Sequence, residues 1–483
     1  MSTNLPRTRL TGLILGPVLF ALILTLLEPG VLSGKSITVL ALGAWMISWW
    51  VTEAVPIPVS AMLPMVIFPL TGVSTVREAS APYGDPVIFL FMGGFMLALG
   101  LERHKLHLRI ALALIKLTGT SGNGIILGFM LSTALISMWI SNTATAIMML
   151  PIAASVTTLL AAEMVQADDP RFKKFATGLM LAIAYAASIG GIATIIGTPP
   201  NVVLVGFMKR YYDMDVSFAR WMVIGVPLMI LGLTACYLLI TRVLFVNNLP
   251  SIEGSRELIQ RKYQELGGIS RAEKLVLSVF SVTCFFWIFR QNLNSLLGTN
   301  LLDDTTIAMA GGILMFMVPV SFEKQVFLLE WKDMKELPWG ILLLFGGGLC
   351  LADGMEKSGL VQLVGNYFSQ QQEISPLVLV FSLTAISMGL TELMSNVALV
   401  TIFLPVVFGV AEGFQVDPIL LAIPVTLAAS CAFMMPISTP PNAILFASGH
   451  IRMKEMIKTG VLLNLACLVI ITVLGMTLVR WIF

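Results

Sequence analysis

The sequence is poor in charge. Only 12% of its 483 residues are charged, whereas a soluble domain carries about 25%. Hydrophobic residues make up 57% of the chain and the mean hydropathy is +0.91. The net charge is +2, which gives no case for a nucleic-acid partner. The composition excludes a soluble protein and predicts a chain that crosses a lipid bilayer many times.

Cysteine and histidine are also scarce, and neither forms a recognisable site. The five cysteines lie within or beside apolar runs, at Cys236, Cys284, Cys350, Cys431 and Cys467. Their odd number and lack of metal-ligand spacing indicate reduced packing residues rather than a disulfide framework or a zinc site. No nucleophile triad, P-loop or HExxH motif is present, so we predict neither enzymatic activity nor an organic cofactor.

The apolar runs predict transmembrane helices. Thr11–Leu27 follows Arg7 and Arg9 and lacks a cleavage site, so we expect a first transmembrane helix with a cytoplasmic N-terminus. A polar stretch at 247–274 separates a first half, 1–246, from a second half, 275–483. Further apolar runs lie at 36–52, 57–73, 86–101, 108–118, 123–163, 175–208 and 218–246, and then at 275–289, 305–320, 338–352, 359–368, 376–414, 418–449 and 459–482. In lipid these runs should be nearly all helical.

Two of the runs are too long for one span. No charged residue occurs from Leu117 to Ala162, a stretch that would make about 69 Å of helix against a hydrocarbon core of about 30 Å. The run must fold back, and its middle carries polar residues but none of the charges expected at a membrane surface. We therefore predict a helical hairpin at 123–163 whose tip stays inside the protein, and a second at 376–414.

Two further runs contain consecutive prolines. The segments Gly197–Asn201 and Ser438–Asn442 each include Thr-Pro-Pro-Asn. Paired prolines remove two backbone donors and oppose a helical conformation in the residue before them, so 175–208 and 418–449 should be broken helices. Unwound backbone at membrane depth is tolerated only where it lines a cavity or is buried in protein.

The interruptions recur in both halves. Ser141-Asn142-Thr143 returns 254 residues later as Ser395-Asn396-Val397, and the Thr-Pro-Pro-Asn segment returns after 241 residues. Single polar residues and prolines in membrane helices often only bond neighbouring helices or bend them, but four breaks in register would then need four coincidences. Repeated breaks of this kind indicate a transporter's binding site between two repeats related by a pseudo-two-fold axis.

The breaks suit an anion and a cation together. Half-helix N-termini attract carboxylate or sulfate, and unwound carbonyls with Ser, Thr and Asn oxygens suit a hard cation such as sodium. Because the breaks contain no Lys or Arg, an anion would need co-bound cations to balance its charge. Two acids in apolar surroundings are open to alternatives: Glu53 as a proton site or a helix cap, and Glu392 as structural or tuning.

Together these motifs, with the segment Thr52–Pro58, resemble the divalent anion:sodium symporter family, and the resemblance covers nearly the whole chain. It implies an all-α polytopic membrane protein with eleven transmembrane helices, two re-entrant hairpins and two inverted-topology repeats. It also implies a homodimer in which a transport domain moves like an elevator against a scaffold domain. The substrates would be C4-dicarboxylates, citrate or sulfate, usually carried with sodium.

The resemblance also assigns residues. The first sodium site would use Ser137, Ser141, Asn142 and the backbone around Gly197; the second would use Thr391, Asn396 and the backbone around Met394 and Ser438. The substrate would meet Asn142, Thr143, Thr198, Ser395, Asn396, Val397, Thr439 and Pro440. The residues alone identify these clusters without dividing them between sodium and substrate.

The leading hypothesis is a sodium-coupled symporter of succinate, malate or fumarate in a bacterial inner membrane. A sodium-independent dicarboxylate exchanger and a sodium-coupled citrate or sulfate transporter are the alternatives among transporters. An anion channel would not accumulate its substrate against a gradient, and a membrane-embedded enzyme would release a modified one.

One position departs from the family pattern and generates a prediction. Many bacterial members carry Thr as the third residue of both motifs, whereas the second motif here has Val397, which forgoes a hydroxyl contact of about 1 kcal/mol. We expect Val397→Thr to shift the ratio of dicarboxylate to citrate uptake. Equal ratios in the variant and the parent would remove this role for position 397.

Overall fold

The computed structural model describes residues 7–30, 32–119, 121–163, 169–247, 249, 253–371 and 374–483. The helices of the first half are α1 (Arg7–Leu26), α2 (Gly34–Thr52), α3 (Ile57–Ser60), α4 (Leu63–Leu70), α5 (Val76–Ser80), α6 (Pro86–Arg103), α7 (Leu106–Leu117), α8 (Gly122–Ser137), α9 (Asn142–Glu163), α10 (Pro170–Gly191), α11 (Pro199–Tyr212) and α12 (Phe218–Leu238). A 3₁₀ turn at Ala81–Gly84 leads into α6, and a π-helical turn at Leu239–Leu244 ends α12.

The helices of the polar stretch and of the second half are α13 (Glu253–Glu265), α14 (Arg271–Leu297), α15 (Asp304–Met317), α16 (Trp339–Lys357), α17 (Leu360–Ser369), α18 (Pro376–Leu390), α19 (Asn396–Gly413), α20 (Pro418–Ala429), α21 (Pro440–Phe446), α22 (Met453–Leu474) and α23 (Arg480–Ile482). Strands β1 (Pro319–Ser321) and β2 (Val326–Phe327) pair antiparallel, with Pro319 opposite Phe327. A 3₁₀ turn at Trp331–Glu336 precedes α16, and a π-helical turn at Gly475–Val479 follows α22.

The prediction of an all-α polytopic membrane protein is confirmed. In the described part of the chain, nine helical stretches are long and apolar enough to cross a membrane: Thr8–Leu26, Val76–Arg103, Asn142–Ala161, Pro170–Gly191, Phe218–Leu244, Arg271–Leu297, Trp339–Lys357, Asn396–Gly413 and Met453–Ile482. The apolar run at 305–320 ends differently from a continuous helix, because α15 stops at Met317 and the chain enters β1.

The polar stretch between the halves contains helical structure of its own. Helix α13 lies within it, and α14 already begins at Arg271 because Ser270 and Glu273 form a capping box. The Glu273 carboxylate also accepts a hydrogen bond of 2.6 Å from Arg109 Nε of α7. A buried ion pair of this kind fastens the polar stretch to the first half.

Both predicted hairpins have helical arms with a short break between them. The arms α8 and α9 are separated by residues 138–141, and the arms α18 and α19 by residues 391–395. The first arms, α8 and α18, have 16 and 15 residues, fewer than the about 20 that a span requires. That the tips lie at membrane depth stays a prediction.

Helix α10 is the centre of the molecule. Every residue from Phe175 to Gly191 is buried, and the helix packs against α8, α9, α12 and α21. By contrast, only 11% of the Thr8–Leu26 window in α1 is buried, as expected for a helix that faces lipid. The helix that leads into the first proline break is therefore held from all sides.

Small residues allow α10 to approach the first hairpin closely. A Cβ atom added to Gly190 would lie 2.4 Å from the carbonyl oxygen of Ala134 and 2.6 Å from its Cα, so the two backbones are in contact. Ala134 precedes Ser137 by about one helical turn, and Gly190 follows Ala187 by the same distance. The close approach thereby places Ser137 against the Ala187 carbonyl.

We expect Gly190→Ala to force α8 and α10 apart and to lower the unfolding temperature of the purified protein, because overpacking of this kind costs about 1–3 kcal/mol. Gly43→Ala in α2 is the matched control, since a Cβ there would meet nothing within 4 Å. Equal unfolding temperatures for the two variants would show that the close approach is not required.

Candidate functional site

The tip of the first hairpin gathers polar oxygens at the end of α8. Ser137 Oγ lies 2.6 Å from Asn142 Oδ1 and 2.7 Å from the carbonyl oxygen of Ala187 on α10. A serine hydroxyl has one hydrogen, so it can donate to only one of these two acceptors at a time. One close oxygen pair is therefore left without a proton, an arrangement that a bound cation would stabilise.

The first proline break lies against this tip. A Cβ added to Gly191 would lie 2.5 Å from Asn142 Oδ1 and 3.1 Å from the Gly197 carbonyl oxygen, so both oxygens lie close to Gly191. Thr194, which is fully buried, joins the two segments: its Oγ1 donates to the Met138 carbonyl at 2.5 Å and accepts from Gly197 N at 3.0 Å. We call Ser137, Asn142 and the backbone of Gly191 and Gly197 the first oxygen cluster.

The second half repeats the hairpin-tip geometry with different residues. Thr391 Oγ1 lies 2.8 Å from Asn396 Oδ1 and 2.5 Å from the carbonyl oxygen of Ala429 at the end of α20. The Thr391 hydroxyl again has two acceptors for its single hydrogen. With Ser438 of the second break, which is buried close by, these groups form the second oxygen cluster.

One asparagine fixes the shape of each proline break. Asn201 Nδ2 donates to the carbonyls of Gly191 at 3.3 Å and Thr194 at 2.8 Å. At the corresponding positions, Asn442 Nδ2 donates to Ala432 at 2.9 Å and Met435 at 3.1 Å. Both asparagines are fully buried, so each replaces the helical hydrogen bonds that its unwound segment has lost.

Each hairpin packs against the broken helix of the opposite half. Helix α9, the second arm of the first hairpin, packs against α21 of the second break, and α19, the second arm of the second hairpin, packs against α11 of the first break.

Residues 7–483 match the family model described as the sodium:sulfate symporter transmembrane region. The chain belongs to the sodium:sulfate symporter family. The match confirms the resemblance to the divalent anion:sodium symporters, and membership of this family of transporters agrees with the prediction that the chain is not an enzyme.

Relatives in the symporter family are similar over nearly their whole length. The sodium-dependent dicarboxylate transporter SdcS of Staphylococcus saprophyticus is 42% identical over 468 residues, which cover 96% of this chain and 90% of the relative. The protein of the same name from Staphylococcus aureus strain USA300 is 40% identical over 466 residues, with the same coverage.

Two solved structures share the fold at low sequence identity. MtrF of Neisseria gonorrhoeae aligns with a TM-score of 0.57 at 11% identity, over 98% of this chain and 95% of MtrF. The YdaH transporter of Alcanivorax borkumensis aligns with a TM-score of 0.54 at 14% identity, over 98% of both chains. Identities this low support a common fold and nothing finer.

The structure brings together part of the set of residues predicted for this family member. Ser137, Asn142 and Gly197 meet in the first cluster, and Thr391, Asn396 and Ser438 lie around the second. The other predicted residues lie at or beside the breaks, and among the described residues no side-chain hydrogen bond joins them to those clusters: Ser141, Thr143, Thr198, Met394, Ser395, Val397, Thr439 and Pro440. Among these, Ser141 Oγ accepts from Ala144 N at 3.2 Å and Thr439 Oγ1 accepts from Asn442 N at 3.4 Å, which caps α9 and α21.

Sequence reasoning missed three residues of this symporter and left the role of a fourth open. Thr194 and the two break asparagines hold the unwound backbone; the signal for the asparagines was their recurrence directly after both proline pairs. Of the two alternatives for Glu53, the structure supports the helix cap and not a buried proton site. Its side chain is 71% exposed and lies 3.6 Å from Arg9, and its backbone adopts a left-handed conformation at the C-terminus of α2, where it acts as a cap.

We expect Asn201→Asp and Asn442→Asp to lower the unfolding temperature, because a carboxylate oxygen would replace the amide donor and face carbonyl oxygens. Leaving buried polar groups unpaired costs about 1–3 kcal/mol. Asn366→Asp, at an exposed position on α17, controls for the added charge. If all three variants unfold at the same temperature, the asparagines do not hold the breaks.

Proposed function

We propose that the chain is a sodium-coupled symporter of C4-dicarboxylates such as succinate, malate and fumarate. The observation that carries the proposal is the duplicated cluster of a hydroxyl, an asparagine and a backbone carbonyl, which occurs at corresponding positions of the two halves and supports two sodium sites. The printed names of the relatives, which describe sodium-dependent dicarboxylate transporters, support the same substrate class.

Each oxygen cluster suits a sodium ion. Neutral hydroxyl, amide and carbonyl oxygens coordinate hard cations, and a cation would relieve the oxygen pairs at Ser137 and Thr391 that share one hydrogen. We assign Ser137, Ser141, Asn142 and the backbone of Gly197 to one sodium ion. To the other we assign Thr391, Asn396 and the backbone of Met394 and Ser438.

The hairpin arms supply the anion site. Helices α9 and α19 begin at Asn142 and Asn396, and Ser395 gives α19 no side-chain cap, so backbone N–H groups at its start are free for a carboxylate. Helices α11 and α21 begin with two prolines each and offer the carboxylates fewer donors. Substrate contacts are assigned to Asn142, Thr143, Thr198, Ser395, Asn396, Val397, Thr439 and Pro440.

Charge balance couples the two solutes. The segments of both breaks contain no Lys or Arg, so a dianion brought there is compensated only by backbone dipoles and by cations. Sodium bound at the two clusters lowers the cost of admitting the dianion, and the dianion in turn stabilises the sodium ions. Empty and fully loaded forms are then favoured over partly loaded ones, which is the requirement for symport.

The remaining organisation follows the family resemblance. We propose a homodimer in the inner membrane with a cytoplasmic N-terminus. In each protomer a transport domain containing the hairpins and broken helices would move like an elevator against a scaffold domain. The burial of α10 on all sides supports motion of the hairpins and broken helices as one packed unit.

The test is uptake of radiolabelled succinate into proteoliposomes, with an inward sodium gradient compared with an equal potassium gradient. Accumulation that needs sodium, and that malate and fumarate inhibit, supports the symporter. Uptake that ignores sodium but requires internal dicarboxylate would replace symport with exchange. Parallel assays with citrate and sulfate identify the substrate if succinate is not carried.

In the same assay we expect Asn142→Ala and Asn396→Ala to reduce sodium-driven uptake at least about tenfold, because each removes a cluster oxygen that no other side chain replaces. Asn366→Ala makes the same change at an exposed position and should transport like the parent. Size-exclusion chromatography verifies that the oligomeric state is unaltered. Parental uptake by either cluster variant would refute the assignment.

A further inference from the structure

Glu392 lies at the tip of the second hairpin and is only 2% exposed. Its carboxylate accepts hydrogen bonds from five groups. The donors are Phe433 N at 2.8 Å, Met434 N at 3.0 Å, Met435 N at 3.3 Å, Ser438 Oγ at 2.7 Å and Asn464 Nδ2 at 2.9 Å. The backbone of the second break thus wraps around one side chain.

Four of the five partners are N–H groups, which can only donate, and they reach both carboxylate oxygens. This pattern suits an ionised carboxylate, which can only accept. The single hydrogen of the Ser438 hydroxyl is shared between the carboxylate and the backbone oxygen of Glu392. Among the ion pairs of the described residues, none includes Glu392. The negative charge is therefore stabilised by dipoles alone. Because a buried carboxylate without a cationic partner is costly, a cation that binds near it stabilises it strongly.

The first half has no such charge. Met138 stands at the position of Glu392, 254 residues earlier, and its carbonyl is bonded to the break by the neutral hydroxyl of Thr194. In each half a side chain connects the break to the hairpin tip. In the first half this side chain is a neutral hydroxyl, and in the second it is a carboxylate.

The carboxylate is close to the second oxygen cluster. Glu392 follows Thr391 directly in the chain, and Ser438 Oγ lies 2.7 Å from its Oε2 and 3.2 Å from its backbone oxygen. The charge is therefore one hydrogen bond from a residue assigned to the second sodium ion. In an interior of low effective dielectric, a full charge at this range acts strongly on a cation.

We propose that Glu392 is a positioning residue that makes the second cation site stronger than the first, so that sodium occupies the second site before the first. The proposal rests on the proposed function. Its side chain shapes the break through the backbone donors, and its charge favours the cation without coordinating it. The first site, which lacks a charge, fills with the help of the dianion.

The test is the sodium dependence of thermal unfolding for the purified protein without substrate, with choline replacing sodium in the control. In Glu392→Gln, which keeps the shape and removes the charge, we expect the sodium concentration for half-maximal stabilisation to rise at least about tenfold. In Glu392→Asp, which keeps the charge and shortens the side chain, we expect a rise of no more than about threefold.

Comparing the sodium dependence of the two variants distinguishes an electrostatic role of Glu392 from a purely structural one. If the side chain only holds the break, Asp is the worse replacement because it cannot reach the same donors. Asn464→Leu supplies a further readout if Glu392→Gln does not fold: it removes one donor and leaves the charge, so sodium affinity should stay the same or increase. A weaker sodium response in Asn464→Leu, or an unchanged one in Glu392→Gln, overturns the proposal.

Sodium-gradient uptake by the parent protein distinguishes this failure from failure of the proposed function. If the parent shows sodium-driven uptake and Glu392→Gln keeps the parent's half-maximal sodium concentration, only the role of Glu392 is refuted. If the parent shows neither sodium-driven uptake nor sodium-dependent stabilisation, the symporter itself is refuted.

Discussion

The architecture depends on the need to satisfy backbone polar groups where helices are interrupted inside apolar protein. Two prolines in each break remove donors and open the helical ladder, and the freed carbonyls have no water to bind. Asn201 and Asn442 each donate hydrogen bonds from one side-chain amide to these carbonyls. The hairpin hydroxyls and asparagines, together with backbone oxygens at the breaks, form the two clusters. The interruptions that Asn201 and Asn442 stabilise are therefore also the places where we propose the binding site.

The two clusters have the same arrangement of hydroxyl, amide and carbonyl oxygens, but their surroundings differ. The Ser137 hydroxyl contacts Asn142 as the Thr391 hydroxyl contacts Asn396, because hydroxyl and amide residues recur at corresponding positions of the two halves. The connection to the break is not conserved: Thr194 makes it in the first half and Glu392 in the second. The difference is electrostatic, so two sites of equal geometry need not have equal affinity.

Much of this could be predicted from the sequence, because the signals are local or repeated. Charge-free runs predicted the breaks between α8 and α9 and between α18 and α19, and the proline pairs predicted those before α11 and α21. The repeated motifs predicted which polar residues correspond between the halves. What could not be predicted depends on contacts between distant segments. Glu392 and Asn464 are 72 residues apart, and nothing in either segment indicates that they meet. For Glu53 the sequence left a helix cap and a proton site open, because its apolar neighbours do not show that the side chain is exposed.

The proposed coupling of sodium to the dianion follows from the net charge at the four interruptions. The interruptions provide dipoles of both signs but no cationic side chain, so a dianion alone would be poorly stabilised. The carboxylate of Glu392 adds a further negative charge at the second interruption. One cation near Glu392 offsets the fixed charge and leaves the centre ready for a further cation and the dianion. The fixed carboxylate thus makes the centre depend on sodium even before substrate arrives. A site with a lysine or arginine in the breaks would bind the anion without sodium, and the dependence of one solute on the other would be lost.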